Sequence, residues 1–173
     1  MRLSCMATNV LNLSRIENQT ILTGVTEYDL SEQIRGAILL LEDKWTRKNI
    51  DIEPEFDEHM ICANEELLKE VWINLMDNAI KFTPEGGVVM LRIAEKDGWI
   101  RVSVRNTGSE IPQEKQAKIF DRFYQADESH GTDGNGIGLT VVKKIVDLHG
   151  GTVAVSSASG ITDFTVTLPA RGK

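Results

Sequence analysis

Apolar residues recur every three or four positions in four stretches of the chain and alternate singly in most of the rest. Leu3, Met6, Val10, Leu13 and Ile16 fall on one stripe of an N-terminal helix. The pattern breaks at Thr23-Gly24, and a short extended stretch follows from Val25 to Tyr28. Asp29 then opens a second helix as its N-cap, with Glu32 at the reciprocal capping-box position. Ile34, Ala37, Ile38, Leu41 and Trp45 form its buried face, which predicts a helix ending near Lys48-Asn49. Alternation at Ile50, Ile52 and Phe56 predicts a strand, and Met60 to Cys62 a second short one. Asn64 caps a third helix, with Glu65 and Glu66 in the first turn where the helix dipole favours them. That helix runs to about Phe82 and is stopped by Thr83-Pro84-Glu85-Gly86-Gly87.

Two longer strands, Val88 to Glu95 and Trp99 to Asn106, are predicted to form a hairpin hinged at Asp97-Gly98. Pro112 to Lys118 is short and helical. Gln125 to Asn135 is polar and aperiodic, a loop long enough to need a functional reason. A helix from about Gly136 to Leu148 follows, with Leu139, Val142, Ile145 and Val146 inward, and Gly150-Gly151 ends it. Thr152 to Ser157 and Thr162 to Leu168 are the last strands. The order of elements predicts an α/β sandwich: a mixed, largely antiparallel sheet with helices on one face. The N-terminal helix, residues 1–22, reads as an appendage or half of a helical hairpin, and residues 23–173 as the main domain; an ordinary helix docked on its own domain fits the same pattern.

Composition narrows the function. With 173 residues the chain can bury a core without disulfides or metal. A net charge of -7 argues against a general binder of nucleic acid or anionic membranes. The longest apolar run, Ala37 to Leu41, cannot span a bilayer, and the mixed N-terminal sequence does not read as a signal peptide. Cys5 and Cys62 make neither a disulfide framework nor a zinc knuckle, so a reducing, cytoplasmic setting is expected. His59, His130 and His149 stand apart from one another and from the cysteines, which weakens any metal-ligand reading.

Four segments carry candidate chemistry. In Asn74-Leu75-Met76-Asp77-Asn78-Ala79-Ile80-Lys81-Phe82, helical geometry puts Asn74, Asn78, Lys81 and Phe82 on one face. Two asparagines on one stripe do not serve helix stability. A carboxamide oxygen suits Mg²⁺ that already carries phosphate oxygens, and an ammonium suits phosphate. Taken alone, a solvated helix face explains this segment about as well. Gly134-Asn135-Gly136-Ile137-Gly138-Leu139 leads into a helix. Its glycines allow close approach of backbone amides to an anion at a helix N-terminus, although flexible loops look similar. Val104-Arg105-Asn106-Thr107-Gly108-Ser109-Glu110-Ile111-Pro112 is a strand end and a glycine turn. Phe120-Asp121-Arg122-Phe123-Tyr124 is an aromatic anchor before the polar loop, with Arg122 able to reach a phosphate.

Together and in this order, these segments resemble the N, G1, F and G2 boxes of the catalytic, ATP-binding domain of sensor histidine kinases, within the GHKL ATPase superfamily. The resemblance covers about Asp29 to Pro169. It implies ATP and Mg²⁺ as ligands, with Asn78 on the metal, Asn74 and Lys81 beside the phosphates, and Arg122 as the F-box arginine. It also implies a pocket that includes Phe82, Asn106, Gly108, Ile111, Gly134, Gly136, Ile137, Gly138 and Leu139, under an ATP lid at about residues 125–135. Leu11-Asn12-Leu13-Ser14-Arg15-Ile16-Glu17 resembles the end of the second helix of the family's dimerisation and phosphoacceptor hairpin. The implied partners are the phosphoacceptor histidine helix of the parent kinase, a response regulator receiver domain, and a second copy through the N-terminal helix.

Two positions depart from the family pattern. The G1 box normally opens with an aspartate that accepts from the adenine amino group; here the residue is Asn106, whose amide oxygen still accepts, at a cost of about 1 kcal/mol, roughly fivefold in affinity. The second G1 glycine is replaced by Glu110, expected to stiffen the turn. No histidine here is followed by the acidic residue of a phosphoacceptor motif, so the chain reads as a fragment beginning inside the second hairpin helix. The GHKL members that hydrolyse ATP place a glutamate four residues before the metal asparagine. Here that position is Asn74, a poor general base, which implies phosphoryl transfer rather than hydrolysis. The alternatives are a nucleotide-binding regulatory module without transferase activity and a helical interaction module with a vestigial pocket.

Overall fold

The computed structural model describes residues 2–108, 110–122, 124 and 137–171. Gly134, Gly136, Phe123, His130 and the polar loop at 125–135 lie outside them. The elements are α1 (Arg2–Glu17), β1 (Val25–Asp29), α2 (Leu30–Leu40), α3 (Glu42–Arg47), β2 (Asp51–Glu55), β3 (Met60–Asn64), α4 (Glu65–Phe82), β4 (Val88–Lys96), β5 (Trp99–Thr107), α5 (Gln113–Gln116), α6 (Gly138–Leu148), β6 (Thr152–Ala158) and β7 (Ile161–Pro169). Strands β2-β4-β5-β7-β6 form a five-stranded sheet, and β1 pairs with β3 in a small antiparallel ribbon. Only the β2–β4 pair is parallel among the described pairings. The mixed, mainly antiparallel sheet expected from the element order is therefore present.

One face of the sheet carries the core. Val89, Leu91, Val102, Val104, Phe164 and Val166 alternate onto it and are buried beneath α4 and α6. The other face is polar, with Arg92, Ser103, Arg105, Asp163 and Thr165 side by side; Arg105 donates to Asp163 Oδ2 at 2.8 Å through Nη2. Both long hairpins turn through two left-handed residues, Asp97-Gly98 and Ser159-Gly160. That pairing matches the right-handed twist of the strands.

The caps predicted for α2 and α4 form. Asp29 Oδ1 accepts from Glu32 N at 3.1 Å, and Asn64 Oδ1 accepts from Leu67 N at 3.0 Å. The reciprocal half of the first capping box is replaced by an ion pair of Glu32 with Arg35. The predicted second helix is in fact two, broken at Leu41, which lets Trp45 turn back and donate to Ile38 O at 3.0 Å. The periodicity hides this break because Leu41 is buried and in phase with the helix before it. Leu13 and Ile16 of α1 are fully buried in the same core, whereas Val10 and Leu11 of that helix are exposed.

Buried polar groups tie the helices together. Gln33 Oε1 accepts from the Trp72 indole and the Tyr28 hydroxyl, both at 2.9 Å; burial, with Glu65 adding, pushes the Tyr28 phenol up. Buried His149, at the end of α6, holds the start of α4. Its Nε2 accepts from Asn64 N at 3.1 Å, while Nδ1 lies 2.8 Å from Ile145 O, which sets the proton on Nδ1. Burial lowers the His149 pKa.

The sign of the pH effect follows. Because the folded chain resists protonating His149 and the unfolded chain does not, the unfolded state binds more protons as pH falls below about 6.5. The stability this histidine provides is full above that pH and declines below it. Denaturant unfolding between pH 5 and 8 will show this decline. His149→Leu, which leaves Asn64 N–H unpaired, will cost about 1–3 kcal/mol at pH 7.5 and will remove this part of the pH dependence.

Candidate nucleotide-binding site

Helix α4 is the base on which the site is mounted. Leu68, Trp72, Leu75, Met76 and Ala79 are buried on one side. Asn74, Asn78 and Lys81 are half-buried on the other side, with Phe82 exposed at its end. The helix is long and apolar enough to be firmly seated, so its polar stripe has a fixed position. Lys48 closes its C-terminus: Nζ donates to Ile80 O at 2.8 Å and Lys81 O at 3.1 Å. A cation there complements the helix dipole and the last free carbonyls. Burial lowers the Lys48 pKa. Asp77 faces away from the stripe and pairs with Lys44 of α3 at 2.6 Å.

The two asparagines differ. Asn74 Nδ2 donates to Glu70 O at 2.8 Å, which fixes its amide, and its Oδ1 lies against the start of α6. Asn78 makes no side-chain hydrogen bond to any described residue, so its carboxamide oxygen is available. A hard, neutral oxygen of this kind fits Mg²⁺ that takes its remaining ligands from phosphate and water. Among the described residues no group of three His, Cys, Asp or Glu could hold a metal unaided. Lys81 Nζ sits 5.3 Å from the centre of the Phe82 ring, a cation–π position beside the same stripe. One turn earlier, Glu70 is pushed above the usual carboxyl range by burial, with Arg15 of α1 opposing and Glu66 adding.

Two glycines explain how the segments meet. A Cβ on Gly138 would lie 2.8 Å from Asn74 Oδ1, so glycine there lets α6 begin against α4 without displacing the Asn74 amide. This places the free N–H groups of the first turn of α6 beside the asparagine stripe. Ile137 is buried and Leu139 half-buried at this junction. Gly108 has φ +143°, and a Cβ on it would lie 2.5 Å from Phe82 O. The turn after β5 therefore passes directly over the end of α4.

Asn106 is buried at the end of β5, facing the helices. Its Nδ2 donates to Thr107 O at 3.2 Å, and no described residue donates to its Oδ1. Across the ladder it is paired with Thr162, also buried, whose hydroxyl meets Ser157 Oγ at 2.7 Å. Ser157 Oγ in turn accepts from Ile111 N at 2.8 Å. Sequence reading missed Thr162 and Ser157. Nothing local marks them, and only the register of β7 on β5 brings them to Asn106.

Arg122 is engaged with α1: Nη2 donates to Glu17 Oε2 at 2.9 Å. It is half exposed, and its partner sits on the helix next to the domain rather than on the α4 stripe. Phe120 anchors the segment by an edge-to-face contact with Phe164, ring centres 6.2 Å apart, and its carbonyl accepts from Thr140 Oγ1 of α6 at 3.0 Å.

The asparagine stripe of α4 and the N-terminus of α6 thus meet at Gly138, on the apolar side of the sheet, and the end of β5 passes over the end of α4 at Gly108. The chain belongs to the family of histidine kinase-, DNA gyrase B- and HSP90-like ATPases, whose match spans residues 63–172. Within it the relatives are sensor histidine kinases. The sensor histidine kinase CusS of Escherichia coli is 31% identical over 98% of this chain and 36% of its own length. The adaptive-response sensory kinase SasA of Crocosphaera subtropica is 33% identical over 95% of this chain and 44% of its own length. The chain thus spans well under half the length of these relatives. Among solved structures, the catalytic domain of histidine kinase ThkA superposes with a TM-score of 0.77 at 34% identity, covering 86% of this chain and 97% of that domain. Full-length ShkA in complex with AMPPNP superposes with a TM-score of 0.87 at 29% identity, covering 99% of this chain and 36% of that one.

Gly108→Ala is expected to be the most damaging single change at the site. It puts a side chain in left-handed backbone and against a main-chain oxygen, so it will cost at least about 2 kcal/mol and abolish nucleotide binding. Gly138→Ala meets only the end of a side chain; it will displace the Asn74 amide with a smaller stability loss of about 1 kcal/mol. Thermal melting of both variants separates the two.

Proposed function

We propose that the chain is the ATP-binding catalytic module of a two-component sensor histidine kinase. It binds ATP with Mg²⁺ and transfers the γ-phosphoryl group to a histidine presented by a phosphoacceptor helix. The observation that carries this reading is the open Asn78 carboxamide, next to the fixed Asn74 amide and the N-terminus of α6 that Gly138 admits. Asn78 would hold the metal together with phosphate oxygens; Mg²⁺ supplies charge neutralisation of the phosphates when bound. Lys81 leaves its position over Phe82 to add a positive charge, and the first N–H groups of α6 donate to the phosphate oxygens. Asn106 Oδ1 faces the purine end, where it selects an amino group over a carbonyl. Asn74 stands where a base would activate water. A neutral amide already bonded to Glu70 O cannot take that proton, so the site favours positioning for transfer over hydrolysis.

Arg122 takes the F-box role only after leaving Glu17. The pair with Glu17 is partly exposed and worth no more than about 1 kcal/mol. None of the chain's histidines suits the acceptor role: His149 is buried between α4 and α6, and His59 and His130 lack the acidic neighbour of the motif. The acceptor is therefore assigned to another segment or chain. Residues 1–22 are assigned to the second helix of the dimerisation hairpin, whose exposed Leu11 side would meet a second copy. A response regulator receiver domain is the expected downstream partner; ThkA is known in complex with response regulator TrrA, at 31% identity and a TM-score of 0.80 over 97% of this chain. No helix of the described residues is long and apolar enough to cross a membrane, and the module is assigned to the cytoplasmic side.

Calorimetric titration with ATP and GTP, with and without Mg²⁺, tests this assignment. ATP should bind more tightly than GTP, and Mg²⁺ should strengthen ATP binding. Asn78→Ala should abolish the Mg²⁺-dependent gain while leaving the fold intact. A supplied acceptor hairpin should become phosphorylated at a rate well above any ATP hydrolysis. Equal affinity for both nucleotides, or robust hydrolysis that is lost in Asn74→Ala, would overturn it.

A further inference from the structure

We infer that Glu110 is a positioning residue for the purine end of the pocket, bracing the turn after β5 on the β6–β7 hairpin; this rests on the nucleotide reading above. The turn leaves the sheet two residues after Asn106 and runs between two supports. On one side Gly108 presses on Phe82 O at the end of α4. On the other side the turn is stitched to the hairpin at successive points. Gly108 N donates to Gly160 O at 3.0 Å, and Gly160 N returns a bond to Glu110 Oε1 at 2.7 Å. Ile111 N donates to Ser157 Oγ, and Gln116 Nε2 bridges Ile111 O at 2.9 Å and Ser157 O at 3.2 Å.

The contact from Gly160 N is the one that depends on residue 110. The Gly108 bond uses main-chain atoms and forms with any side chain at 110. The Gly160 N–H finds its acceptor only in a carboxylate that reaches back across the turn. The glycine that the family resemblance expects at 110 has nothing to offer it. Glu110 is exposed and contributes nothing to the core, so its work is confined to the turn. Through Ser157, Thr162 and the β5–β7 ladder, the same hairpin also supports Asn106. Fixing a turn before the ligand arrives removes the ordering cost that binding would otherwise bear. The residue that departs from the family pattern thus holds the purine-reading strand end and the turn over α4 in one geometry.

The test uses the full chain with Mg²⁺. Wild type, Glu110→Ala and Glu110→Gln are titrated with ATP and with GTP, and amide hydrogen exchange is followed over the β6–β7 turn. In Glu110→Ala the Kd for ATP should rise about three- to tenfold, the preference for ATP over GTP should shrink, and the Gly160 amide should exchange faster. Glu110→Gln keeps an acceptor at the same reach and should stay within about twofold of wild type in all three. Melting temperatures of both variants should stay within about 2 °C of wild type. Wild-type ATP affinity and selectivity in Glu110→Ala would overturn this inference alone. Equal weakening in the Gln and Ala variants would overturn it too, by showing that charge and not the brace matters. Absence of ATP binding by the wild-type chain would overturn the nucleotide reading and this inference with it.

Discussion

Helix α4 rests on the five-stranded sheet by one wholly apolar side, and most of the proposed chemistry is mounted on the other. Burial of Leu68, Trp72, Leu75, Met76 and Ala79 against the sheet supplies the force. Each of the larger side chains contributes on the order of 2 kcal/mol. That force acts without direction, so directional contacts set the angle and the ends: the Asn64 cap and His149 at the start, Gln33 on the Trp72 indole in the middle, Lys48 on the last carbonyls. A helix held in this way can carry Asn74 and Asn78, residues poor for helix stability, because tertiary packing outweighs their few tenths of a kcal/mol of lost propensity.

Close approach is the second constraint. A site that gathers a helix stripe, a helix N-terminus and a strand end into one place must bring main chains together more tightly than side chains allow. Gly108 against Phe82 O is such a contact, and Gly138 lets the main chain of α6 come up to the Asn74 side chain. The glycine at 108 is required twice, by the neighbour and by its left-handed backbone. The glycine at 138 is favoured only by the Asn74 side chain, which can shift. The same logic separates the two departures from the family pattern. Asn106 puts a neutral amide where that pattern has a carboxylate, and its Nδ2 bonds Thr107 O while Oδ1 stays an acceptor. Glu110 changes what the turn leans on and makes a new bond to the hairpin.

The N-terminal helix joins the catalytic domain by unequal contacts. Leu13 and Ile16 are buried in the core, so the end of α1 is part of the folded unit. The charged contact beyond them, Glu17 with Arg122, is exposed and weak. Apolar docking fixes where the helix ends, and the exposed ion pair adds little to that.

By itself the sequence determined whatever is decided within a turn or two of chain. Asn64 and Asp29 read as caps because a cap bonds three residues on; Asp97-Gly98 read as a hairpin because the turn needs two left-handed residues; the Asn74, Asn78, Lys81 stripe read as one face because helical spacing alone sets it. Tertiary structure decided what depends on distant partners. The break at Leu41 is invisible to periodicity, since the apolar phase runs through it. Thr162 and Ser157 join the pocket only through the register of β7 on β5. Lys48 meets α4 across 32 residues, Glu110 meets Gly160 across 50, and His149 meets Asn64 across 85. No local pattern encodes such pairs, because each is a by-product of how the apolar faces stack, and that stacking is set by burial summed over the whole core.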